Sequence, residues 1–336
     1  MSSASLDRLL AILVLAMAGS GLLTLRAGSP WSSWVYVAHG LLAGALGAAV
    51  VLKVRSSLGR AVSGRRWRRL VLGLAVTLAV AAALTGGWLW VASGELLSLG
   101  TFTVLTLHAW VGLALVPLVV VHLLPRRWRL LRPGRSAVRR AGGRLMTRRA
   151  LLSGAGLGIA GVGAFGIASA VERLRGGERR FTGSRWLDRG GVPPITTFFG
   201  EPAPVIDVDS WQVHVGGQVL RPLTLALPQL RALGETDLAA VLDCTSGWAI
   251  ETAWRGVPLA AVLDSAGAEP GGGNVTVRSA TGWAAYLPLD EARRCLLATG
   301  VAGADLPLGN GAPVRLVVPD RRGLDWVKWV TEIEVS

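Results

Sequence analysis

The sequence predicts a multi-domain protein: an all-α transmembrane bundle of five helices followed by an α+β domain. Three observations carry this. Hydrophobic residues make up 51% of the 336 positions, more than one soluble domain of this size needs to fill its core. Five apolar stretches, at residues 9–25, 34–52, 70–91, 103–124 and 150–170, are each long enough to cross a bilayer, which takes roughly 20 residues. From residue 192 the texture changes to short apolar runs broken by Gly, Pro and Asp, as short strands and turns require. The resulting division is 1–125 for a four-helix transmembrane domain, 126–149 for a basic cytoplasmic loop and 150–170 for the fifth helix. Residues 171–191 read as a polar tether and 192–336 as the α+β domain.

Charge orients the helices. The net charge is +14, but residues 1–170 carry 19 Lys and Arg against 2 Asp and Glu, whereas residues 171–336 carry 16 against 19. The basic charge therefore belongs to the membrane half. A nucleic-acid-binding domain would place it on the folded part, so nucleic acid is not an expected partner. The link 53–69 holds seven Lys and Arg and the link 126–149 holds ten, while the links at 27–33 and 92–100 hold none. Basic links stay inside, so the N-terminus is predicted to be cytoplasmic and the C-terminal domain extracytoplasmic. Trp31, Trp34, Trp88 and Trp90 fall at the outer surface and Trp67 and Trp128 at the inner one, as an aromatic belt requires.

Ionisable residues within spans are functional candidates. His39 and His108 each lie five residues inside their helices from the outer side, so two imidazoles at one depth can ligate a single haem iron from both faces. Gly40, Gly44 and Gly47 leave room beside His39 for a flat macrocycle or a close helix contact. His122 follows His108 by 14 residues, about 21 Å along a helix, and is a further candidate ligand. This spacing resembles the paired histidines of four-helix b-type cytochromes. The position 14 after His39 is Lys53, which departs from that pattern. The segment TRRALL at 147–152 resembles a twin-arginine export signal placed internally, implying passage through the twin-arginine translocase. The plain alternative is that Arg148 and Arg149 complete a basic loop.

In the C-terminal domain, residues 211–215 alternate as a strand, Gly216 and Gly217 turn, and 219–225 continue. Further strands are expected at 275–277, 314–318 and 329–335, with short helices or turns at 227–233 and 237–241. The two cysteines, Cys244 and Cys295, are too few for a disulfide scaffold, and one bridge stays open. Cys295 reads as a small buried apolar residue, and His214 as a packing or surface residue.

Three blocks in order carry a resemblance: WQVHVGGQVLRPLTLALPQL at 211–230, LDCTSGWAIETAWRGVPLAAVL at 242–263 and LPLGNGAPVRLVVPDRRGLDWVKWVTEIEV at 306–335. Together they resemble the sulfite oxidase family of molybdopterin enzymes, particularly its branch of bacterial periplasmic methionine sulfoxide reductase catalytic subunits. The resemblance implies the sulfite oxidase fold, a molybdopterin cofactor and Cys244 as molybdenum ligand and catalytic residue. A soft thiolate suits such a centre. It also implies cofactor contacts from Asn310, Arg315, Trp326, Val327 and Lys328, with Lys328 a partner for the pterin phosphate, and from Ser279. The stretch ITTFFG at 195–200 aligns with a cofactor-binding stretch, where Thr196 and Phe199 replace asparagine and tyrosine beside Gly200.

The expected activity is oxygen-atom transfer to or from a small molecule, with electrons exchanged through haem b with quinone or another membrane carrier. A reductase of sulfoxide-like substrates is the first reading. Sulfite oxidases usually continue into a β-sandwich domain, and the sequence stopping at Ser336 favours it. A sulfite-dehydrogenase-like oxidation and a non-catalytic electron-carrying module are the alternatives. Trp248, with Trp254, would wall the substrate side of Cys244, although Trp254 reads first as a core residue.

Overall fold

A computed structural model of the protein describes residues 3–63, 67–124, 148–269 and 273–336. It divides into two compact units, one containing the long helices and the other residues 179–336 with two short segments, 25–30 and 100–102.

Five long helices build the first unit: α1 (Ser3–Thr24), α2 (Trp34–Ser63), α3 (Trp67–Ala92), α4 (Val104–Leu123) and α5 (Arg148–Leu174). All five are long and apolar enough to cross a membrane. Helix α4 starts where Thr103 Oγ1 accepts a hydrogen bond from the Thr106 backbone N–H at 3.2 Å, satisfying one of the orphan amides of its first turn. The first four helices form a ring in which each packs on its chain neighbour and α4 closes on α1. Helix α5 lies outside the ring against α2 and α3, and small residues explain how. A Cβ on Gly44 would lie 2.7 Å from the Gly161 Cα, and one on Gly40 would lie 2.5 Å from the Phe165 ring. The glycines of α2 thus serve a close helix contact with α5. Within the bundle Leu13, Leu46, Ala49, Val80 and Leu115 are buried together. Ile12, Leu74, Leu78, Val120 and Ile159 point outward and are exposed. The basic link 126–149 falls almost wholly outside the described residues, including Trp128 and Thr147.

The second unit holds two sheets. The five-stranded sheet runs in the order β5 (Leu223–Ala226), β4 (Gln212–Gly217), β13 (Val330–Val335), β8 (Asn274–Ser279) and β9 (Ala284–Pro288), antiparallel except for the parallel pair β4–β13. The other centres on β7 (Trp248–Pro258), which pairs with β3 (Arg185–Trp186), β6 (Thr236–Asp243) and β10 (Leu296–Val301). Strands β11 (Ala304–Asp305) and β12 (Arg315–Val317) both pair with β10. A short hairpin, β1 (Ser98–Leu99) and β2 (Phe102–Thr103), precedes α4. Three short helices, α6 (Leu227–Arg231), α7 (Leu259–Ala266) and α8 (Leu289–Ala292), cap the strands.

Three local expectations change. Residues 237–241 form strand rather than helix or turn, because all eight residues of β6 pair with β7 and long-range pairing outweighs the helix propensity of Leu and Ala. Gly216 and Gly217 extend β4 instead of turning. Gly217 adopts φ +83°, and a Cβ there would lie 2.0 Å from the Val335 carbonyl oxygen, so only glycine fits this register. The tether expected at 171–191 is divided: Val171 to Leu174 finish α5, and from Arg179 the chain packs into the second unit, adding β3 in parallel to β7.

Candidate functional site

Cys244 sits at the tip of the β6–β7 hairpin. Its N–H donates to the Trp248 carbonyl at 2.8 Å and its carbonyl accepts from the Gly247 N–H at 2.9 Å, closing a four-residue turn in which Gly247 adopts φ +94°. The sulfur is half-buried. The Ser246 N–H donates to it at 3.4 Å, and Thr196 Oγ1 lies 3.7 Å away. Thr196 Oγ1 already accepts from Trp248 Nε1 at 3.0 Å, so its own hydrogen is available to point at the sulfur. The Ser246 amide and the Thr196 hydroxyl are two donors beside a sulfur whose thiolate form binds metals.

The tip is held from behind by a buried charge cluster. Asp243 accepts from Thr182 Oγ1 at 2.7 Å and from Ser184 Oγ at 2.6 Å. Arg180 and Arg322 stand 3.4 and 3.6 Å from its oxygens. Arg322 also donates to the Cys244 carbonyl at 3.2 Å. These partners escaped the sequence reading. The one signal was an acid directly before the cysteine, and its partners lie about 60 to 80 residues away.

Beside Cys244 lies a cavity of ≈ 280 Å³. Thr196, Phe199, Ser279, Asn310, Arg315, Trp326 and Lys328 all line it, so seven of the nine expected cofactor contacts come together. The remaining two do not reach it with side chains. Val327 is fully buried and its carbonyl accepts from the Leu316 N–H at 2.8 Å. Gly200 adopts φ +76° and donates its N–H to Thr197 Oγ1 at 2.9 Å. The lining also includes Glu201, Trp248 and Trp283, of which only Trp248 was anticipated. Trp254, by contrast, is core.

The cationic end of the cavity is built for a polar guest. The Arg315 guanidinium is buried between the Trp254 and Trp326 rings, 5.5 and 5.7 Å from their centres, and Nη1 donates to the Asn310 carbonyl at 2.9 Å. Burial, opposed by the nearby Cys244, pulls its pKa down to about 10. Lys328 Nζ donates to the Gly309 carbonyl at 2.8 Å. Burial first and then Arg315 pull its pKa down to about 8, against Cys244 and Glu201. Asn310 Nδ2 donates to the Pro193 carbonyl at 2.9 Å, while Asn310 Oδ1 and Arg315 Nε are buried without a partner. Buried polar atoms left unpaired cost roughly 1–3 kcal/mol each, and a polar ligand offering a donor and an acceptor removes that cost. Two cations, an amide and a thiolate fit a phosphate-bearing, metal-binding cofactor. Gly311, at φ +114°, lets this loop turn: a Cβ would lie 3.1 Å from Lys328.

Elsewhere in this unit, Cys295 is a free, buried thiol that burial pushes up to about 12. His214 is exposed and bonded to Thr224.

In the helical unit, His39 and His108 meet across the ring, with ring centres 6.0 Å apart and planes at 86°. His108 Nδ1 lies 2.7 Å from the Ala83 carbonyl, which can only accept, so the proton sits on Nδ1. The Ser20 hydroxyl lies 2.8 Å from His39 Nδ1 and 2.7 Å from the Ala16 carbonyl. Each ring is thus held through Nδ1 by a second partner, as metal-ligating histidines are. Gly21 and Gly87 stand beside the two rings, where a Cβ would come within 3.4 Å. His122 faces Gly73 of α3. Lys53, standing where a second ligand on α2 would be, forms an ion pair with Asp7 of α1.

Residues 200–336 match the family described as the oxidoreductase molybdopterin binding domain. Similar proteins include the protein-methionine-sulfoxide reductase catalytic subunit MsrP of Xanthomonas axonopodis pv. citri, 33% identical over 149 residues, 39% of this chain and 46% of that protein. That of Gluconobacter oxydans is 31% identical over 37% of this chain and 46% of its own. The chain thus spans about half the length of the curated relatives it matches. A solved structure, the sulfane dehydrogenase SoxCD from Paracoccus pantotrophus, is 25% identical over 40% of each chain with a TM-score of 0.38.

Proposed function

We propose, on the premise that the C-terminal domain of this chain is a molybdopterin-binding oxidoreductase domain of the sulfite oxidase family similar to MsrP, that the protein reduces small sulfoxide-like molecules at a molybdenum centre held by Cys244. The observation that carries this is the cavity itself. A hydrogen-bonded thiol at a hairpin tip opens on the same space as two buried cations and two unpartnered polar atoms. When bound, the molybdenum cofactor supplies two-electron oxygen-atom exchange. Cys244 would ligate the metal. Arg315 and Lys328 would hold the phosphate, and Asn310 the polar rim of the pterin. Thr196 and the Ser246 amide would hydrogen-bond the sulfur, while Trp248 shields it from water on one side.

The helices provide the electron route in this reading. His39 and His108 would hold one haem b between the helices, supplying one-electron transfer. Quinone or another membrane carrier would exchange electrons with it. The charge asymmetry of the links supports an extracytoplasmic catalytic domain. Arg148 and Arg149, at the start of α5, would serve the twin-arginine translocase during export.

Metal and haem content of the purified chain, together with dimethyl sulfoxide reduction by reduced viologen dye, tests the proposal. Molybdenum near one per chain is expected, and Cys244→Ala should abolish turnover and the wild-type molybdenum spectrum. Turnover and spectrum unchanged in that variant would overturn the ligand assignment.

A further inference from the structure

Reduction of a sulfoxide needs protons as well as electrons: R₂SO + 2 e⁻ + 2 H⁺ gives R₂S + H₂O. The S–O bond breaks, two O–H bonds form, and the electrons come from the reduced centre, refilled by the membrane carrier. The groups proposed to bind the cofactor leave few candidates for the proton source. Cys244 would be a metal ligand, and Arg315 and Lys328 would be paired with phosphate. Among the described residues lining the cavity, Glu201 is the one carboxylate.

Its surroundings form a chain. Glu201 is exposed to solvent and accepts a hydrogen bond from the Thr281 hydroxyl. Thr281 Oγ1 lies 2.9 Å from Ser279 Oγ, and the Thr281 N–H donates to the same Ser279 oxygen at 3.2 Å, which fixes the middle of the chain. Ser279 is buried at the end of β8 and lines the cavity. Lys328 lines the same cavity, and the Glu201 charge acts on it.

We propose that Glu201, Thr281 and Ser279 are a proton wire that takes protons from solvent and delivers them to the oxygen leaving the substrate. The glutamic acid passes its proton to Thr281, whose hydroxyl hydrogen moves to Ser279, whose hydrogen moves into the cavity. Glu201 is then reprotonated from water, and a second passage completes the product water. This inference rests on the reductase reading for its substrate, though not for its route.

Glu201→Gln and Thr281→Val test it, each first checked for unchanged molybdenum content. With reduced viologen and dimethyl sulfoxide, each should lower kcat by about 10²-fold, the low end for a positioned proton donor, with little change in KM. The solvent deuterium isotope effect on kcat should rise. The double variant should be no slower than either single, because the groups act in series. Proton uptake on photoreduction without sulfoxide, followed by a pH-indicator dye, should slow by a similar factor. Wild-type uptake slowed in both variants without any dimethyl sulfoxide turnover would sustain the wire and refute the sulfoxide reading. Variants matching wild type in uptake and isotope effect, or losses that multiply, would overturn the wire.

Discussion

Asp243 does not line the cavity, yet it braces the hairpin tip that carries the thiol. Its carboxylate accepts hydrogen bonds from two hydroxyls and is ion-paired with two guanidiniums behind the hairpin tip. Removing one partner of a buried ionic cluster costs ~3–5 kcal/mol because the other charges stay desolvated. Asp243→Ala should therefore lower the stability of the C-terminal domain by that order in chemical denaturation, and lose molybdenum although Cys244 remains. Lys328 carries a pH prediction. With its pKa near 8 in the free site, it is protonated below that pH and neutral above it. A bound phosphate stabilises the ammonium and raises its pKa. Cofactor affinity should thus be level below pH 8 and fall by up to about tenfold per unit above it. Molybdenum retained after dialysis at stepped pH measures this, and Lys328→Met should flatten the curve.

At the scale of elements, the contact of α2 with α5 depends on absent side chains. A Cβ at Gly161 would lie 2.5 Å from the Leu41 carbonyl oxygen, so Gly161→Val must push the two helices apart. Loss of van der Waals contact drives the cost in a bilayer, where lipid competes equally for apolar surface. The variant should show a lower unfolding temperature in detergent while the C-terminal domain retains its molybdenum. The glycine run of α5 was legible as a mildly apolar span, but its partner was not, since spacing alone cannot say which glycines meet. Strand β6 shows the converse: its Leu and Ala residues fit a helix or a strand locally, and pairing with β7 along its whole length decided.

For the whole molecule, the proposed role of the helical unit is electron supply. The proposed outer haem uses His39 and His108, and each Ala variant should lose the bis-imidazole absorption spectrum. Ser20→Ala should keep the haem but weaken it by about 10–100-fold, since it orients the ligand His39 from behind. A second, inner haem is not expected. Lys53 and Asp7 pair at that level, and Leu46, Ala49, Val80 and Leu115 are packed together within the bundle. Pyridine-haem quantitation should give one haem per chain.

The sequence by itself determined the two-part architecture and the five apolar helices, and it singled out Cys244, because hydrophobic length and ordered motif blocks are local properties of the chain. It also named most of the cavity lining, since those residues lie within the blocks. Only the tertiary structure decided that Asp243 braces the hairpin tip, that Thr196 stands beside the sulfur, that both histidine rings are held through Nδ1, and that Glu201 joins Ser279. Each of these depends on a hydrogen bond between residues far apart in the chain, and periodicity carries no information about such partners.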